Sequence, residues 1–137
     1  LIQKHPLPET LIEAKSEFYL KTKLQMWGNT ASFIEPKAMK DYLRCFKKKA
    51  TIHASCEDYR AAASIDIIHH NRDKKKKIKC PVLVLWGKKG TLEKLYEPVK
   101  VWKKWATEVT GYSLKCGHFL PEEKPKETFN AILNFCR

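Results

Sequence analysis

The sequence predicts an α/β protein, with part of an open parallel sheet in its second half and a helical region before it. Three observations lead there. The run Cys80-Pro81-Val82-Leu83-Val84-Leu85-Trp86-Gly87 is continuously apolar between Lys79 and a glycine, as in a strand covered on both faces of a parallel sheet. From that run to the last residue the order reads strand, helix, strand, helix. Ahead of it, apolar residues recur only at helical spacing, with neither a repeat nor a hairpin signal.

Taken in order, Leu20, Leu24 and Trp27 fall at i, i+4 and i+7 behind Ser16, a plausible N-cap, and Gly28 stops that helix. Pro36 suits the first turn of a second helix, with Met39, Leu43 and Phe46 on one stripe. A third helix is expected over 53–69, placing Tyr59, Ala63 and Ile67 on one face. After the connector 71–79 comes the apolar strand. Pro98 then opens a helix carrying Val101, Trp102 and Trp105, and a second strand is expected over 112–116, closed by Gly117. Pro125 opens the last helix, with Phe129, Ile132, Leu133 and Cys136 at i, i+3, i+4 and i+7. Two strands make a poor sheet on their own. The sheet is therefore expected to be incomplete within these 137 residues, and the helical half reads as an insertion between strands of a larger domain.

The 27 lysines and arginines against 15 acids give a net charge of +12, which raises nucleic-acid binding. The lysines, however, come as pairs and short runs flanking apolar helical positions or in connectors, the pattern of a solvated face, so no nucleic-acid partner is expected. No apolar run approaches the ~18 to 20 residues that cross a bilayer, and no membrane association is expected. Five cysteines without a C-x-x-C pair read as reduced thiols of a cytoplasmic protein, four of them on apolar segments where cysteine is usually buried. The histidines lack zinc-ligand spacing, and His69-His70 with Asp66 and Asp73 only superficially suggests a metal cluster. Neighbours on a helix point about 100° apart and rarely chelate one ion. Neither a metal nor a cofactor is expected.

The stretch Cys116-Gly117-His118-Phe119-Leu120-Pro121-Glu122-Glu123 puts one histidine just past the end of the last strand. Open α/β sheets bind ligands at that end of their strands. A histidine arriving late in the chain, before the final helix, also fits the nucleophile–acid–histidine order of the α/β-hydrolases. His118 is the candidate catalytic residue; the plain alternative is a hydrogen-bonding histidine in a polar turn.

The run His53-Ala54-Ser55-Cys56-Glu57-Asp58-Tyr59-Arg60-Ala61-Ala62 resembles the cap-domain signature of the haloacetate (fluoroacetate) dehalogenases, α/β-hydrolases related to epoxide hydrolases. The strand motif, Val101-Trp102-Lys103-Lys104-Trp105-Ala106 and the His118 segment continue the resemblance in the family's order. It implies a helical cap over residues 1–73 and the C-terminal part of the hydrolase core over 74–137. It also implies a two-step displacement on a small halogenated acid. An aspartate carboxylate attacks the carbon bearing the halogen, and a histidine, matched by His118, activates the water that hydrolyses the resulting ester. Tyr59 matches the tyrosine that donates its hydroxyl to the departing halide, although a tyrosine on such a face is more often packed core. Trp27 is a candidate for lining the substrate passage. Glu57, Asp58 and Arg60 read as ion-pairing residues of the cap helix, and His70 departs from the family's usual His-Asp.

The nucleophile and triad acid are not recognisable: no G-x-D-x-G or G-x-S-x-G elbow occurs, and Lys88-Lys89-Gly90-Thr91 follows the first strand. The chain is thus expected to be the C-terminal piece of a hydrolase and inactive by itself. The nearest rival is an epoxide hydrolase of the same fold, with Tyr42 or Tyr19 as a second cap tyrosine. A basic nucleic-acid binder and a truncated product without a role of its own stand further off. A homodimer through the cap or the last strand is a further expectation.

Overall fold

A computed structural model describes residues 1–29 and 33–137. The backbone divides into two compact units, Leu1–Leu24 with Pro36–Lys75, and Gln25–Glu35 with Lys76–Arg137. The second boundary lies close to the division read from the sequence, but the stretch Gln25–Glu35 belongs with the later unit.

The first unit is helical: α1 (Leu7–Ala14), α2 (Ser16–Trp27, whose last turn enters the second unit), α3 (Pro36–Phe46), α4 (Lys49–Ala62) and α5 (Ile65–Asp73). Helix α3 forms where Pro36 and the Met39–Leu43–Phe46 stripe predict it. Helix α1 was not foreseen, although Pro8 stands in its first turn and Leu7, Leu11 and Ile12 fall at helical spacing. The helix expected over 53–69 is two helices, α4 and α5, broken at Ala63 and Ser64. Ser64 turns its hydroxyl back onto the Arg60 carbonyl (2.6 Å), the local competition that makes serine a poor interior helix residue.

The core of this unit is small. Ile12, Ile52 and Cys56 are buried, with Leu1, Tyr19 and Phe46 packed around them, and the Tyr19 and Phe46 rings stack at 5.9 Å. The buried side of α4 therefore runs through Ile52 and Cys56, not through the expected Tyr59–Ala63–Ile67 line; Tyr59 and Ile67 are exposed. Beside the core Glu9, itself buried, receives both terminal nitrogens of Arg60 (2.8 and 3.1 Å), and the Arg60 Nε–H reaches the Gln3 carbonyl (2.8 Å). Arg60 thus ties α4 to α1 by an ion pair.

In the second unit β1 (Val82–Gly87) and β2 (Val109–Leu114) pair in parallel, from Val82↔Val109 to Gly87↔Leu114. The crossover carries α6 (Thr91–Leu95) and α7 (Pro98–Trp102); α8 (Leu120–Glu123) and α9 (Pro125–Phe135) follow β2. The second strand lies three residues earlier than expected at its start, since Val109 and Thr110 are as β-compatible as the residues after Gly111. At Gly111 a side chain is impossible: a Cβ would stand 2.2 Å from the Val84 carbonyl oxygen on the neighbouring strand. Helix α7 is shorter than expected and leaves Trp105 outside it.

Burial is shallower than the sequence suggests. Of the β1 side chains only Val84 is buried, and α9 buries Thr128 and Ala131 while Phe129, Ile132 and Cys136 stay exposed. A two-stranded sheet presents too little surface to cover a whole apolar stripe. Cys56 and Cys116 are buried free thiols, whereas Cys45, Cys80 and Cys136 are exposed free thiols. Among the described residues no helix is long and apolar enough to cross a membrane.

Candidate active site

Both strands of a parallel pair end on the same side, so the loops after β1 and β2 are neighbours by topology. Here they are also stitched together. Lys88 N–H donates to the Leu114 carbonyl (2.7 Å) and Lys89 N–H to the Cys116 carbonyl (3.0 Å), while Gly90 N–H closes back on Gly87 (2.9 Å). Gly87 approaches the second loop so closely that a Cβ there would fall 1.6 Å from the Gly117 carbonyl oxygen. Glycine at 87 is required by contact, in addition to ending the strand.

His118 stands on the second of these loops. It is exposed, and its ring lies edge-on to Trp27 (5.0 Å between centroids, 73°) and to Phe119 (5.1 Å, 88°). Its backbone N–H donates to the Trp27 carbonyl (3.0 Å). A cavity of about 430 Å³ opens beside it, with Met26, Trp27 and Leu92 as apolar wall, the glycines 28, 87 and 90 in the floor, and Lys89 and Thr91 as further polar lining. The arrangement places an imidazole, an ammonium and a hydroxyl around a mainly apolar space, as small-molecule sites require. Trp27 and His118, singled out separately in the sequence, are thus brought together, and Trp27 is a cavity wall rather than a core residue.

One residue of this site carried no sequence signal beyond its place among the acids before the last helix. Glu123 accepts the Gly117 N–H (2.8 Å) and the Asn29 N–H (3.2 Å) on Oε2 and the Phe119 N–H (3.3 Å) on Oε1. A carboxylate accepting backbone amides was not legible from spacing alone.

Tyr59 sits on α4 in the first unit and is 41% exposed, so its phenol is not consumed by the core. In the same unit the Tyr19 hydroxyl is pushed above its ordinary range, by burial first and then by the Tyr59 charge. Among the described residues the ligand-type side chains that converge are His5, Glu9 and His53, a group the sequence did not single out. The His5 and His53 rings lie 5.3 Å apart, and His53 Nδ1 is 3.1 Å from Glu9 Oε1. That carboxylate is already matched by Arg60, whose guanidinium holds Glu9 down at about 2. A cation would have to displace or face the guanidinium, so the trio reads as an ion-pair network.

No family model matches the chain. A curated fluoroacetate dehalogenase from Burkholderia sp is 32% identical over 136 residues, covering 98% of this chain and 45% of that protein. The crystal structure of a Nostoc sp PCC 7120 protein, provisionally described as an α/β-hydrolase, is 54% identical with a TM-score of 0.95, over 98% of this chain and 46% of that one. A Pseudomonas aeruginosa structure, provisionally described as an epoxide hydrolase, is 35% identical with a TM-score of 0.86 over the same shares. The chain spans less than half the length of each. Its fold is in part that of an α/β-hydrolase, a helical region followed by two parallel strands and their helices, and the resemblance to haloacetate dehalogenases extends over nearly its whole length.

Proposed function

We propose that this chain supplies the water-activating histidine and the cap of an α/β-hydrolase that cleaves the carbon–halogen bond of a small halogenated acid. The observation that carries the reading is His118 at the C-terminal end of β2, beside a cavity of about 430 Å³. In an enzyme of this kind an aspartate carboxylate displaces halide from carbon and leaves an ester. His118 takes a proton from water, the hydroxide attacks the ester carbonyl, and the hydroxy acid departs as the carboxylate is restored. Lys89, lining the same cavity, supports an anionic substrate, and the Tyr59 O–H donates a hydrogen bond to the leaving halide. Trp27 walls the substrate passage. The five free thiols fit a reducing, cytoplasmic setting.

The test is a graft. The 137 residues replace the matching portion of the Burkholderia fluoroacetate dehalogenase, and fluoride release is followed beside the ungrafted chain. The chain alone is expected to release none. The graft is expected to turn over, and with His118→Ala to stop after one equivalent of fluoride with a covalent ester visible by mass spectrometry. Steady turnover by the His118→Ala graft would remove the histidine from the mechanism.

A second reading is epoxide hydrolysis, in which Tyr59 and Tyr19, both in the helical unit, would together protonate an epoxide oxygen, in keeping with the provisional description of the Pseudomonas aeruginosa structure. Diol formation without fluoride release by the same graft would decide for it.

A further inference from the structure

We propose that Glu123 is the positioning residue of this site: a single carboxylate that fixes His118 by holding the main chain on both sides of it together with the loop behind Trp27. The proposal rests on the reading of His118 as the base. Glu123 Oε2 takes the amide before the histidine, Gly117 N–H at 2.8 Å, and Oε1 takes the amide after it, Phe119 N–H at 3.3 Å. The amide between them, that of His118 itself, is held by the Trp27 carbonyl at 3.0 Å. Asn29 N–H, two residues beyond Trp27, returns to Oε2 at 3.2 Å. Three consecutive amides and the turn just after the facing indole are thereby fixed from two points. Residue 118 cannot rotate about its backbone without breaking one of these bonds.

The geometry leaves no slack. A Cβ on Gly117 would come within 2.6 Å of Asn29 N and 2.8 Å of Glu123 Oε1, so the carboxylate and the Gly28–Asn29 turn pack directly on the bare backbone. Glu123 reaches back from the end of α8, whose own amide is bonded to the Phe119 carbonyl (2.9 Å). Hydrogen bonds to an ionised acceptor are roughly twice as strong as neutral ones. Its three hydrogen bonds among the described residues all come from main-chain amides, so it places the imidazole rather than exchanging a proton with it.

The experiment uses the 137-residue chain and reads amide hydrogen exchange and the His118 ring resonances by NMR in the wild type, Glu123→Gln and Glu123→Ala. Glu123→Ala is expected to speed exchange at Gly117, Phe119 and Asn29 by about 10-fold or more, the loss of one charge-assisted bond each, and to release the His118 ring from the shielding of Trp27. Glu123→Gln keeps one acceptor oxygen, so it is expected to leave one side of His118 protected and free the other. General destabilisation cannot produce that split. Unchanged ring resonances and exchange in Glu123→Ala, or equal acceleration of every amide in the unit including those of β1 and β2, would overturn the proposal. These readouts do not depend on turnover. If instead the His118→Ala graft keeps steady turnover, the base assignment falls and the clamp remains as a measured feature of the fold.

Discussion

The indole of Trp27 and the imidazole of His118 meet edge to face, 5.0 Å apart, and the Trp27 carbonyl holds the His118 amide as well. One residue thus touches the histidine with both its side chain and its backbone. An aromatic pair of this geometry contributes roughly 0.5–1.5 kcal/mol beyond its buried area. Trp27→Ala is expected to lower stability by about 1 kcal/mol or more in urea titration, since the covered part of the indole is lost with the ring contact, and to move the His118 ring signals away from those of the wild type. Trp27→Phe should retain part of both, and indifference of the ring signals to either change would refute the contact.

Gly87 and Gly117 admit no side chain. The nearest atoms to an added Cβ are backbone, at 1.6 Å for Gly87 and 2.6 Å for Gly117, and backbone cannot swing aside. Overpacking usually costs about 1–3 kcal/mol, and Gly87→Ala is expected at the upper end or beyond. Thermal melting of both alanine variants checks this; a melting point equal to the wild type for Gly87→Ala would contradict the stitched loops.

The small helical core makes Ile52 costly to truncate. It is 1% exposed between Ile12 and Cys56. Ile52→Ala is expected to destabilise by about 2–5 kcal/mol, read by denaturant midpoint, whereas Ile67→Ala on the exposed face of α5 should stay within about 0.5 kcal/mol.

Thiol labelling should divide the cysteines. Burial pushes the thiols of Cys56 and Cys116 up, which withholds the reactive thiolate, while Cys45, Cys80 and Cys136 are exposed. Mass spectrometry of native chain treated briefly with a maleimide is expected to show label at the three exposed positions and protection at the other two until denaturant is added. Early label at Cys56 would contradict the described core.

The Glu9–Arg60 pair sets an acid limit. The Arg60 hydrogen bonds hold the Glu9 carboxyl at about 2, against 4.5 for the free group. Because the folded chain binds this proton less readily than the unfolded one, the pair's contribution is complete above about 4.5 and fades as pH falls toward about 2. Glu9→Gln is expected to flatten the fall in melting temperature across that interval, leaving a variant weaker at neutral pH but less sensitive to acid. A slope identical to the wild type would show that other carboxylates govern acid unfolding.

Much of the fold was legible because its signals are local. The apolar run ending at Gly87, the prolines at 36, 98 and 125, and the histidine after Gly117 each announce an element or its edge within a few residues. What was not legible depends on partners distant in sequence. The break at Ala63–Ser64 comes from a side-chain bond competing with the helix, the buried side of α4 is chosen by α1, and exposure of the α9 stripe follows from the width of the sheet. The site divides in the same way. His118 and Trp27 could be singled out one at a time, but their contact needs Gly28 and Asn29 to turn back onto residue 117. The grip of Glu123 on Asn29 spans 94 positions of chain, beyond the reach of any periodicity.

The parallel pairing of β1 and β2 has a consequence for how such a site changes over generations. The imidazole and Lys89 arrive on separate connectors that share one brink of the sheet, and Gly87 and Gly117 between them are sterically pinned. Charge at the rim can therefore be altered on the first connector without displacing the imidazole carried by the second.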